Sequence, residues 1–291
     1  MDYLRKKWYR SLIFVIPALA IYLIMVIAPI CGSIYYSLCD WNGISTPNFI
    51  GFKNYISMFT NPDFGTVIKN TVISTVLALL IQPTVAIIFA FMIYRCANKA
   101  QKVYRVLVFL PAVVAAASIS LMFTLMFNSE IGPINQILTN LGVQNPPNWL
   151  SDGKIVLYSV ITPMIYQFIG YYVVILLAGM QSLPEDIFES ASLDGANAVQ
   201  VFLKIVVPTQ AETIIMCCVL IIGGAMKAFE HSYIMTWGGP GVSSSFLGVY
   251  MYNTTFQGGK FGLGSAISIV IMVLAVTFAI LLQKFGRKFE Y

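Results

Sequence analysis

Six stretches of this chain are long and apolar enough to cross a lipid bilayer, and they constrain the fold more than any other feature. A spanning helix needs about 20 predominantly apolar residues. Residues 12–38, 67–94, 104–127, 155–180, 211–235 and 263–283 each meet that requirement. In hydrocarbon every backbone N–H and C=O must bond within the protein, so lone apolar runs of this length fold as helices. The composition agrees. Of 291 residues 58% are hydrophobic and only 10% charged, against about 25% charged in a soluble domain. The expectation is an all-α membrane protein of six transmembrane helices, one domain over residues 1–291, with the lipid bilayer as its principal solvent.

Lys and Arg orient the spans. With the N-terminus inside, the inside segments hold 12 of them: Arg5, Lys6, Lys7, Arg10, Arg95, Lys99, Lys102, Arg105, Lys204, Lys284, Arg287 and Lys288. The outside segments hold 4: Lys53, Lys69, Lys154 and Lys260. This bias predicts that both termini are cytoplasmic. It also accounts for the modest net charge of +5, so nothing points to nucleic acid. Ala18-Leu19-Ala20 imitates a signal-peptide cleavage site. The apolar run continues to about Ile30, too long for a signal peptide, and reads as an uncleaved first span.

One polar island, SLPEDIFESASLDGANAVQVFLKIVVP at 182–208, falls on the inside. It reads as two short amphipathic helices with a turn between them. Ser182 is expected to cap the first, with Glu185 completing a capping box. Leu193-Asp194-Gly195 breaks the pattern, because Gly tolerates positive φ and Asp194 offers an acceptor to the next helix start. Val199, Phe202, Ile205 and Val206 recur at helical spacing and give one apolar face. Pro208 is expected to end the second helix. Such a hairpin between two spans suits docking to another protein.

The same residues resemble the EAA-x2-DGA-x5-F-x2-I-x-L-P loop of binding-protein-dependent ABC importer permeases. Here it stands as Glu189-Ser190-Ala191, Asp194-Gly195-Ala196, Phe202, Ile205 and Pro208, with Ser190 for the family's first Ala and Val207 for its usual Leu. Ala178–Pro184, Gly51-Phe52-Lys53-Asn54-Tyr55 with Asn70-Thr71, and Thr236-x-Gly238-Gly239-Pro240 are similar to the carbohydrate, maltose-type branch. The resemblance implies a type I ABC importer permease fold in the bacterial cytoplasmic membrane. It implies a loop that plugs into a separate ATPase through Glu189, Ala191, Asp194, Gly195, Ala196, Phe202 and Pro208. Glu189, Asp194 and Gly195 would shape the loop, the two alanines allow close approach, and Phe202 supply an apolar contact. It further implies a second homologous permease, two ATPase subunits that carry ATP and Mg, and an extracytoplasmic substrate-binding protein. The cargo would be a sugar or oligosaccharide, and this chain would bind no cofactor.

The spans carry further polar signals. Pro83 should kink the second span, with Gln82 bonding a freed carbonyl or facing a neighbouring helix. Pro111 and Ala115-Ala116-Ala117-Ser118 in the third read as packing features. The loop over 128–153 is expected to be irregular. In the fourth span Ser159, Thr162, Pro163, Tyr166, Gln167 and Gly170 form a polar stripe, with Tyr171 and Tyr172 beside it. That stripe faces either a wet, sugar-binding cavity or a neighbouring helix. Near the end of the fifth span, Lys227, Glu230 and His231 stand three and four apart. They either wall a translocation path or, for Lys227, snorkel to the interface. Trp237-Gly238-Gly239-Pro240-Gly241 is a sharp break, after which one of Ser243–Ser245 should cap a short helix through Thr255.

Several chemistries are unsupported. There is no G-x4-G-K-[ST] phosphate loop; Gly258-Gly259-Lys260-Phe261 lacks its spacing and its hydroxyl. Five cysteines without a CxxC and one His indicate no metal site. The chain is therefore expected not to be an enzyme. The alternative to an ATP-driven importer is a secondary transporter driven by an ion gradient, with Lys227, Glu230 and His231 as a proton relay. No inverted repeat favours it.

Overall fold

The computed structural model describes residues 8–286. Arg5, Lys6, Lys7, Arg287 and Lys288, which carry part of the orientation argument, lie outside the described residues. The described chain is mostly helical. Four helices have the length and apolar character of a membrane span: Val15–Ser37, Pro62–Tyr94, Val156–Gln181 and Phe261–Lys284. The first contains a π-helical turn at Leu23–Ile27.

The other two expected spans are broken. Asn98–Val113 and Ala116–Met126 meet at 89°, and Ala198–Thr209 and Ala211–Ala225 at 68°. The continuous third span over 104–127 is thus corrected: Val114 and Ala115 are extended, with ψ of 139° and 134°. Such a break frees carbonyls, and the Val114 carbonyl accepts from Gln167 Nε2 at 2.9 Å. The fifth expected span, 211–235, is corrected as well. Its helix stops at Ala225 behind Gly223-Gly224, and a new seven-residue helix starts at Glu230. Paired glycines weaken helix ends because an ordered glycine loses more backbone freedom than any other residue.

The chain forms two compact units. One comprises Met1–Asn61 and Met251–Val270. Here Cys39–Asp40 pairs antiparallel with Asn48–Phe49, a two-residue ribbon that qualifies the all-α expectation. Asn54 Nδ2 holds it by donating to the carbonyls of Ser37 and Cys39 at 2.9 and 2.8 Å. Trp41 stacks on Tyr36 with ring centroids 4.2 Å apart.

The second unit comprises Pro62–Tyr250 and Ile271–Tyr291. Its core gathers Ala86, Ala90, Val160, Val173, Leu176 and Met180, all fully buried. The Pro62–Tyr94 helix turns one stripe inward, and that stripe includes the buried polar residues Asn70, Thr71, Ser74, Thr75 and Gln82. Each hydroxyl or amide there has a partner. Asn70 Nδ2 donates to the carbonyls of Val242, Ser243 and Ser245 at 3.0–3.2 Å. Thr71 Oγ1 accepts the N–H of Leu247 at 3.0 Å, so a threonine 176 residues away caps the Leu247–Tyr252 helix. This corrects the expected serine cap: Ser244 and Ser245 are buried, and Ser244 bonds instead to Gly239 and Thr236. The preceding break is a chain of left-handed residues, Trp237 (φ 56°), Gly238 (84°) and Gly241 (59°).

The loop over 128–153 is also more ordered than expected. It contains the helix Pro133–Asn140, and its buried Asn135 accepts from Trp149 Nε1 at 2.7 Å.

Candidate functional site

The surface loop is built as two helices, Glu185–Leu193 and Ala198–Val201, the latter continued by a π turn at Phe202–Val206 and by Val207–Thr209. The caps differ from those expected. Ser182 Oγ donates backwards to the Gly179 carbonyl at 2.7 Å and finishes the previous helix. The first loop helix starts after Pro184 without a side-chain cap, its N-terminus facing Glu185 and Asp186, whose charge suits the helix dipole. The second is capped by Asn197, not by Asp194. The Gln200 amide donates to Asn197 Oδ1 at 2.9 Å and the Asn197 amide to Gln200 Oε1 at 2.8 Å, a reciprocal capping box. Gly195 supplies the turn with φ +71°. Pro208 does not end the second helix. It lies in a further turn that runs to Thr209, and the bend follows at Gln210. The π turn shifts the bonding register upstream, so a residue without an N–H is accommodated there.

This loop has two faces. Inward, Phe202 packs on Phe91 with centroids 5.3 Å apart, Phe188 on Tyr94 at 5.1 Å, and Ala191 and Val206 are buried. Outward, Glu189, Asp194, Gly195 and Pro208 are exposed. So are Leu193 (89%) and Leu203 (58%), whereas Val199, also exposed, lines an open groove with Ile88, Phe91, Met92 and Phe202 on the inward side. Ala196 is half-buried, and its amide donates to the Ala191 carbonyl at 3.0 Å across the turn.

A cavity of about 350 Å3 lies among the helices Pro62–Tyr94, Val156–Gln181 and Ala211–Ala225 and the segment that follows the last of them. Its wall brings together Tyr171, Lys227, Glu230 and His231 from the sequence-derived set, with Gln82 and Tyr172. Lys227 lies in the irregular segment between two helices, so the helical spacing that suggested an ion pair with Glu230 does not apply. His231 is buried, its Nδ1 2.9 Å from Ser120 Oγ. Ser120 gives its own hydroxyl proton to the Ala116 carbonyl at 2.7 Å. With that proton committed, Nδ1 is the donor to Ser120, and His231 Nε2 remains a buried acceptor without a partner.

Tyr166 and Gln167 are not in that wall. Gln167 is spent on the helix break, and the half-exposed Tyr166 packs on Phe123 at 5.7 Å. Gly170 is a packing residue: a methyl there would overlap the Val108 carbonyl. Sequence reasoning passed over Ser120 as a partner of His231, since 111 residues separate them. Gln82, beside the kink residue Pro83, faces a neighbouring helix: it donates to the Ile165 carbonyl at 3.2 Å while lining the cavity.

Apolar helices of spanning length, a polar-cornered cavity among them and a capped surface loop define a membrane permease. Residues 82–291 match the family model described as "Binding-protein-dependent transport system inner membrane component", and the chain belongs to that family. Among its relatives is the probable ABC transporter permease protein YurN of Bacillus subtilis, 32% identical over 94% of this chain and 95% of that protein. The trehalose/maltose transport system permease protein MalF of Thermococcus litoralis is 29% identical over 94% of this chain and 92% of that one. In fold, a bacterial alginate ABC transporter solved in complex with an alginate pentasaccharide-bound periplasmic protein matches with a TM-score of 0.84. That match covers 99% of this chain and 96% of the other at 22% identity. The protein is an ABC importer permease, which is not an enzyme family. The ion-gradient alternative finds no support among these relatives.

Proposed function

We propose that this chain is one of two homologous permease subunits in the cytoplasmic membrane, crossing it six times with both termini cytoplasmic. It takes a sugar or oligosaccharide from an extracytoplasmic binding protein. Two partner ATPases, which hold the ATP and Mg, drive it through the loop over 182–208. The observation that carries the docking assignment is the outward face of that loop. Leu193 and Leu203 stand exposed on an otherwise polar, acidic segment. Outside the membrane such a cluster marks a protein contact. Phe202 and Phe188 tie the inward face to the long second helix. A pull on the loop is therefore transmitted to the cavity wall through packed side chains, as a rigid-body switch of access requires.

The cavity is the substrate path in this reading. Its volume falls in the usual ligand range of about 300–1,000 Å3. Tyr171 offers a ring face to the C–H surface of a sugar, and Lys227, Glu230 and the His231 ring add polar contacts. The carbohydrate assignment draws on the sugar-transporting relative and the alginate importer.

Leu193→Asp tests the docking. Leu193 is almost fully exposed, so membrane insertion and folding should be unchanged while co-purification of the ATPase falls at least about tenfold, as expected for a contact near an interface centre. Full co-purification with coupled ATP hydrolysis would refute the assignment. For the cavity, Tyr171→Ala and His231→Gln should raise the concentration of loaded binding protein that gives half-maximal uptake in proteoliposomes. Unchanged uptake in both would remove these residues from the path.

A further inference from the structure

The Asn98–Val113 helix carries a surface that neither the loop nor the cavity uses. Between Arg95 and Ser129 the chain holds four basic residues and no acidic one. Lys99, Lys102 and Arg105 follow at three-residue steps, so they share one flank of the helix. Beyond Arg105 the surface turns apolar through Val106, Phe109, Leu110 and Val113. With Val174 of the Val156–Gln181 helix, these side chains line an open slot of about 330 Å3 that has Arg105 in its wall. The two helices touch tightly at Gly170, against the Val108 carbonyl. One turn further along, at Val174, the slot opens.

We propose that this slot holds an acyl chain of an anionic phospholipid, whose phosphate is bound by Arg105 and Lys102. The slot's shape and charge both point there. Arg105 is the one polar residue in its wall, so the slot offers nothing to a hydrated ligand along its length. Val106, Leu110 and Val113 are 64, 57 and 68% exposed, so the groove is open along its length to a hydrocarbon chain. From Arg105 to Val113 the helix rises about 12 Å, which gives a linear groove headed by a cation. A guanidinium binds phosphate oxygens in pairs. Basic pockets beside spanning helices recognise anionic headgroups on the same principle. A zwitterionic lipid brings its own ammonium and gains less from Arg105 and Lys102.

The assembled transporter would be reconstituted in vesicles of equal phosphatidylglycerol and phosphatidylethanolamine, extracted into detergent, and its retained lipid weighed by native mass spectrometry. Phosphatidylglycerol should be retained over phosphatidylethanolamine by at least about tenfold. Lys102→Gln with Arg105→Gln should abolish that preference. Val113→Trp, which fills the slot and leaves both charges, should reduce retention of either lipid. All three positions are exposed, so folding is not at stake. Equal retention of the two headgroups, or retention unaltered by either variant, would overturn the proposal. So would release of the second permease subunit by Val113→Trp, which would make the slot a protein interface.

Discussion

Gly170 has its place because the Val108 carbonyl of a neighbouring helix leaves no room for a methyl group. Small residues at helix contacts let backbones approach in this way, and in lipid such packing takes over from the hydrophobic effect as the force between helices. Gly170→Val should therefore force the two helices apart. The expected cost is about 1–3 kcal/mol, read as a lower thermal midpoint of the detergent-solubilised protein; an unchanged midpoint would show that the contact yields freely. Gln167 shows the same logic in polar form. It resembled a sugar ligand on the stripe of its span, yet its amide serves the carbonyl left open at Val114. A side chain that repairs a break and one that greets a ligand have the same chemistry, and only the position of the partner tells them apart.

Caps and breaks decide the elements. The second loop helix begins at Asn197 because Asn197 and Gln200 satisfy each other's backbone, an arrangement that the sequence motif Asn-x-x-Gln announces as clearly as the Ser182–Glu185 pair that does not form. Asn197→Ala should cost about 1 kcal/mol of helix stability. Hydrogen exchange of residues 198–206 should speed about fivefold, with the spans unaffected. Equal exchange would mean that tertiary contacts through Phe202 and Val206 hold the helix without its cap. The two bent pairs are a harder case. An apolar run of spanning length does not reveal that its backbone turns through 89° at Val114–Ala115, because the residue that makes the turn tolerable belongs to another helix.

At the level of the whole chain, one amide joins distant segments. Asn70 donates to three carbonyls of residues 242–245, all of them more than 170 positions away. Asn70→Ala would leave these carbonyls with no side-chain donor in a buried setting, at a cost of about 1–3 kcal/mol. The expected result is a lower thermal midpoint together with faster exchange of amides in the 238–247 turn. A variant with wild-type exchange there would show that the left-handed turn at Trp237–Gly241 is rigid by itself. The buried polar row Asn70, Thr71, Ser74 and Thr75 was open to reading as a helical stripe, and its spacing says that it faces protein. What it cannot say is which protein segment supplies the partners.

The amino-acid sequence settled the solvent, the helical class, the long apolar helices and the two-helix surface loop with its positive-φ glycine. Each follows from local composition, from apolar run length or from the backbone freedom of a single residue. Tertiary structure alone decided where two of the six apolar runs break, that Gln167 repairs the break at Val114, and that Tyr171, Lys227, Glu230 and His231 share one cavity while Tyr166 and Gln167 lie outside it. Those outcomes depend on partners 50 to 170 residues away. No local pattern encodes them, because a polar group in hydrocarbon needs a partner and accepts one from any part of the chain.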